Sequence, residues 1–109
     1  MSWNFGMTAD LGGKHPIDLD YDRGYTFNVA KMFYDAFDLD DGIRGLHGKT
    51  GEECIPLLKN AIKNFISKRE LYESWNPPNR WGNYDGALEL LNDLLGWCIE
   101  SPKAEMYVS

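Results

Sequence analysis

The sequence predicts a mainly α-helical domain with a small β element: about three helices, plus a short two-stranded sheet formed by the N- and C-terminal segments. Three observations predict it. Both ends of the chain alternate apolar and polar residues with period two, the mark of a half-buried strand. Three internal stretches repeat apolar residues at helical spacing. Between them lie runs dense in Gly, Asn, Asp and Pro, which interrupt regular structure. With 109 residues, positions 1–109 are read as a single domain. An apolar fraction of 43% suffices for one core and argues against global disorder.

The elements follow in order. In "SWNFGMT", Trp3, Phe5 and Met7 share one face and Ser2, Asn4 and Gly6 the other. In "AEMYVS", Ala104, Met106 and Val108 oppose Glu105 and Tyr107. Two such end strands satisfy each other's backbone groups by pairing. Residues 9–24 carry Gly12, Gly13, Pro16 and Gly24 and read as loop, with a short extended piece at Ile17 to Tyr21. Val29, Met32, Phe33, Ala36 and Phe37 then trace one face of a first helix, with Asn28 placed to cap it. That helix ends before "DLDDG", and a single turn is expected at Asp41 to Leu46.

Thr50 and Glu53 form a capping box that opens a second helix. It runs to about Lys68 and buries Cys54, Leu58, Ala61, Ile62 and Phe65. Pro56 lies past its first turn. Either it removes one ladder bond and bends the helix, or the regular helix begins nearer to it. The third helix is marked by Tyr84, Ala87, Leu88, Leu91, Leu94 or Leu95, and Cys98. Asn83 or Asp85 can cap its start, and Pro102 stops it.

Charge narrows the function. Lys and Arg total 11 against 17 Asp and Glu, a net charge of −6. A nucleic-acid or anionic-membrane binder needs a basic footprint, so neither partner is expected. An acidic surface suits a basic site on another protein, or simply solubility. No apolar run approaches the ~18 residues of a membrane span, and "MSWNFGMTAD" has no signal-peptide pattern. Cys54 and Cys98 have no Cys or His at ligand spacing. They read as buried free thiols of a reducing cytoplasm, with a disulfide between them left open.

No motif names a reaction. Asp18, Asp20 and Asp22 match the first three ligand places of a calcium loop, but Arg23 occupies the glycine place and Val29 the glutamate place. "DLDDG" fails likewise, with Lys49 at its twelfth position. His15 and His47 lie in glycine-rich loops without an inferable partner. There is no nucleophile elbow, P-loop or paired-His motif. Catalytic residues, metal and cofactor are therefore expected to be absent, and the chain is read as non-enzymatic.

The most informative residues are polar and aromatic. Tyr25, Thr26 and Asn28 stand at the head of the first helix. Asn79, Arg80, Trp81, Asn83 and Tyr84, with Trp75 nearby, stand at the head of the third, within "NPPNRWGNYDG". Arg44 is a further cation placed near these heads. Helix N-termini present N–H donors and the positive dipole end, and aromatic planes suit a base or a sugar ring. The same residues also serve as caps, Asx turns and a packed lid.

The strings "GYTFNVAKMFYDAF", "GIRGLHGKTGEECIPLLKNAI" and "NPPNRWGNYDGALELLNDLL" resemble a family of small tailed-bacteriophage proteins. The shared features are an aromatic-Thr-aromatic-Asn stretch, a Gly-Ile-Arg and Thr-Gly step, an Ile-Pro helix and a late Gly-Asn helix start. The resemblance covers roughly residues 24–100 and brings no catalytic residues. It implies a phage accessory protein acting in the bacterial host cytoplasm. By that analogy of context, the expected function is counter-defence, through binding and inhibition of a host or antiviral-defence protein. One alternative is a sponge for a nucleotide-like immune signal, with the helix heads meeting across a homo-oligomer interface. Another is a virion assembly factor.

Overall fold

The N-terminal alternation becomes strand β1 (Ser2–Ala9), with Trp3, Phe5 and Met7 turned into the core. The computed structural model describes residues 2–9 and 17–109. Residues 10–16 of the loop expected at 9–24, His15 among them, lie outside the described residues.

β1 is the central strand. Along one edge lies β4 (Glu105–Val108), antiparallel, with Phe5 opposite Val108 and Thr8 opposite Glu105. The expected pairing of the two chain ends is therefore present. Two short strands share the other edge. β2 (Ile17–Asp18) pairs with Thr8 and Ala9, and β3 (Arg23–Thr26) pairs with Ser2 to Phe5. The described residues thus form four strands, not the two expected. The reason is physical: a two-stranded pair would leave one edge of β1 unpaired. "RGYT" has no apolar alternation, so only tertiary pairing makes it a strand.

The outer edge of β4 is closed by the segment 47–51. Gly48 N–H donates to Met106 O at 2.9 Å, and Met106 N–H donates to Lys49 O at 2.7 Å. Val108 N–H donates to the His47 imidazole Nδ1 at 3.0 Å. The ring takes the place of a strand carbonyl, so His47 is more than a solvated loop residue.

A 3₁₀ turn at Phe27–Val29 leads into helix α1 (Ala30–Ala36). Its cap is Thr26, whose hydroxyl accepts from Asn28 N–H at 3.3 Å. Asn28 is not the cap, because β3 ends at Thr26 and the backbone leaves the extended region there. Met32, Phe33, Ala36 and Phe37 are buried as expected. A second 3₁₀ turn, Gly42–Leu46, occupies the place of the expected single turn.

Helix α2 (Gly51–Ser67) opens on the predicted capping box. Thr50 Oγ1 accepts from Glu53 N–H at 3.2 Å, and the Glu53 carboxylate accepts from Thr50 N–H at 3.0 Å. Pro56 lies inside the helix with its ring exposed and does not mark the start. Helix α3 (Arg69–Glu73) was not expected. Five residues with Tyr72 as the one buried anchor are too short for a period to be read. Helix α4 (Tyr84–Glu100) is capped by Asn83 and buries Tyr84, Ala87, Leu90, Leu91, Leu94 and Cys98.

α2 and α4 pack on each other and on the inner face of the sheet, and α1 completes the core. Gly51 marks a close approach between α2 and the end of α4. A Cβ there would lie 2.7 Å from Ser101 O and 3.1 Å from Cys98 Cα, both backbone atoms. Cys54 and Cys98 are free and buried. The neighbouring Cys98 thiol, with burial, pushes the Cys54 thiol well above its ordinary value, so it stays protonated and inert. No described helix is long and apolar enough to cross a membrane.

Candidate functional site

The two helix heads named from the sequence do meet. The Tyr25 hydroxyl accepts from Asn83 N–H at 3.1 Å and sits 3.3 Å from Asn83 O. Gly82 brings the loop down onto β3 and the 3₁₀ turn. It has φ +87, and a Cβ there would lie 2.5 Å from Thr26 Cγ2 and 3.3 Å from Val29 Cγ1. Both the left-handed backbone and the close approach select glycine.

Other contacts at this head take up the Tyr84, Gly86 and Ala87 donors expected to serve a ligand. Asn83 Oδ1 accepts from Gly86 N–H at 2.7 Å, and Asn76 Oδ1 accepts from Tyr84 N–H at 2.7 Å. Ala87 N–H enters the helical ladder through Asn83 O. Tyr84 is a core residue, 2% exposed, not a surface aromatic. Its ring stacks on Phe65 and its hydroxyl donates to Phe65 O at 2.6 Å. Burial pushes the Tyr84 phenol above its ordinary value, which keeps it a donor. Thr26 is likewise spent as a cap, and Asn28 contributes its backbone N–H to that cap with an exposed side chain.

What remains outward is the tip of the loop. Trp81 is 71% exposed, the most exposed large apolar side chain among the described residues. Its backbone is held nonetheless: Asn79 Oδ1 accepts from Trp81 N–H at 3.0 Å, an Asx turn. Arg80 N–H donates to Pro77 O at 3.3 Å. Arg80 itself is left-handed at φ +62, a conformation costly for a side chain with a Cβ. Arg80 is exposed and makes no ion pair among the described residues. The other tryptophans are covered. Trp3 is buried, Trp97 stacks on Tyr21, and Trp75 stacks on Tyr72 beneath Lys31 Nζ, 4.5 Å from its ring.

Arg44 belongs elsewhere. It lines an open cleft of about 520 Å³ with Tyr34, Asp41, Gly45 and His47. It also lines an adjoining apolar notch of about 150 Å³ with Trp3, Phe27, Ala30 and Tyr34. Sequence reasoning missed this place, although it held one signal. Tyr34 falls off the apolar face traced by Val29, Met32, Phe33, Ala36 and Phe37, so an aromatic was left pointing away from the core. A third cleft gathers Asp18, Asp20 and Asp22 with Tyr21, Asn4 and Tyr107. Asp18 Oδ1 is taken by Asp20 N–H at 2.9 Å, a turn bond rather than a cation site. Among the described residues no group of three or more His, Cys, Asp or Glu side chains is placed to hold a metal.

No family model, curated protein or solved structure matches this chain.

Proposed function

We propose that the chain is a phage accessory protein of the host cytoplasm. It binds and inhibits a host or antiviral-defence protein stoichiometrically, and Trp81 is the anchor that enters the partner. The single observation that carries this reading is Trp81: a side chain 71% exposed on a backbone held from both sides. Aromatic anchors dominate binding energy at interfaces. A loop ordered before binding loses less conformational entropy on association. Arg80 beside it adds a charged, planar donor of the kind enriched with Trp at such centres. The phage origin rests on the resemblance of residues 24–100, and the acidic charge of −6 suits a partner with a basic site.

The nucleotide-sponge alternative has less support at the helix heads. Its proposed ring, Tyr84, is buried, and its N–H donors at Tyr84, Gly86 and Ala87 already have acceptors.

The test is native mass spectrometry of the protein recovered from phage-infected cells. The reading expects a protein complex of fixed stoichiometry that Trp81→Ala no longer forms. Recovery of only the free chain, or an undiminished complex with Trp81→Ala, refutes it.

A further inference from the structure

The cleft around Arg44 lies apart from the Trp81 loop, and its walls are fixed by contacts of the fold itself. Tyr34 is half-exposed, yet its ring rests on Gly42, where a Cβ would meet Tyr34 Cδ1 at 3.0 Å. Gly42 has φ +57, so the turn that carries Arg44 begins in a backbone form that favours glycine. His47 is held by Val108 N–H on its Nδ1, which leaves Nε2 as the nitrogen that carries a proton. The floor of the notch is the Trp3–Phe27 pair, with ring centroids 4.6 Å apart.

The chemistry of the walls selects a ligand. A notch of about 150 Å³ is of the size that accepts a benzene ring. Arg44 and Tyr34 line both the notch and the polar cleft, so a ring in the notch brings its neighbouring substituents beside the guanidinium. Asp41 lines the polar cleft as well. Asp41 and Arg44 pair neither with each other nor with another charge among the described residues. One cation and one carboxylate in a chain of net charge −6 oppose a multiply charged phosphate. They match a molecule that carries one charge of each sign.

We propose that this cleft binds a small aromatic zwitterion of the amino-acid type. Its ring lies in the Trp3, Phe27 and Ala30 notch, its carboxylate meets Arg44 with His47 Nε2–H as a second donor, and its ammonium faces Asp41. Arg–carboxylate pairing supplies orientation as well as affinity. The site is independent of the Trp81 reading, and either can fail without the other.

The experiment is an NMR titration of the full chain with four probes: L-phenylalanine, phenylacetate, phenethylamine and AMP. L-phenylalanine should give saturable shifts at the Trp3 indole N–H and at the amides of residues 41–47, with a Kd near or below about 1 mM, and leave the Trp81 indole N–H unmoved. Phenylacetate and phenethylamine, each lacking one charge, should bind at least about tenfold more weakly, and AMP no better than they do. Arg44→Gln should weaken L-phenylalanine by about tenfold or more at an unchanged melting temperature, since Arg44 is exposed. The proposal is overturned if L-phenylalanine gives no saturable shift up to about 10 mM. It is equally overturned if a single-charge probe or AMP matches L-phenylalanine, or if Arg44→Gln binds as the native chain does.

Discussion

The heads of α2 and α4 begin with the same local device and end in different uses. Each opens on a side-chain cap that accepts from a backbone N–H three residues on: Thr50 from Glu53, Asn83 from Gly86. At α2 the surroundings are backbone. Gly51 N–H donates to Ala104 O at 2.7 Å and Glu52 N–H to Pro102 O at 2.8 Å, so the C-terminal segment seals that head. At α4 the surroundings are side chains, with Asn76 and the Tyr25 hydroxyl making the bonds. Acceptors meet the Gly51, Glu52 and Glu53 donors at α2 and the Tyr84 and Gly86 donors at α4. Only at α4 does a large aromatic, Trp81, remain in water on a loop that is otherwise fastened. An N-terminus is thus a sealed joint in one case and, on the function proposed above, a platform in the other, and the cap residue alone does not say which.

The largest expected difference concerns glycine. Gly51→Ala drives a Cβ against the Ser101 and Cys98 backbone, which cannot swing away. It should cost about 1–3 kcal/mol as an overpacked contact. Gly86→Ala puts a Cβ 2.1 Å from the Tyr25 hydroxyl, which must give up its bonds to Asn83, but a side-chain end can turn aside where backbone cannot, and the helix gains propensity. Its net cost should stay below about 1 kcal/mol. Denaturant midpoints measure both, and a costlier Gly86→Ala would reverse the assignment of joint and platform.

The caps come next. Thr50→Ala and Asn83→Ala should each cost about 1 kcal/mol. Asn83→Ala should also weaken partner binding, because Asn83 anchors the display loop; Thr50→Ala should leave binding alone. Equal binding by the two variants would break the distinction.

Acid separates the heads more gently. Hydrogen bonds from the Thr50 N–H and hydroxyl hold the Glu53 carboxyl below its ordinary value. A depressed carboxyl contributes stability that is present above its unfolded value and lost as pH falls through the folded one. Asn83 does not titrate. The protection factor of the Thr50 amide, whose N–H donates to that carboxylate, should therefore fall on acidification while that of Gly86 holds to lower pH. Loss of both together would show that the capping box is not the titrating element.

The sequence made the α2 head legible down to its bonds, because T-x-x-E is a local rule and needs no distant partner. It exposed α4 through six apolar positions at one period, and the pairing of the chain ends through alternation. It concealed what depends on remote contacts. β3 is a strand only because β1 has a second edge, and Thr26 is a cap only because β3 stops there. Tyr84 reads both as a member of the helix's apolar face and as a ligand-facing aromatic until Phe65 covers it. The Arg44 cleft joins residues of β1, α1 and the 3₁₀ turn at 42–46, so no single stretch announces it. Trp81 and Arg80 were legible as candidates because a connector has no need of them.

The most direct test is Trp81→Ala measured two ways on one preparation. With its side chain 71% exposed, the change should leave the melting temperature nearly unmoved, and, on the proposed function, it should abolish the protection of a phage in a plaque assay on a defended host. A variant that unfolds, or one that keeps full protection at native stability, contradicts the claim that the head of α4 is a platform for binding.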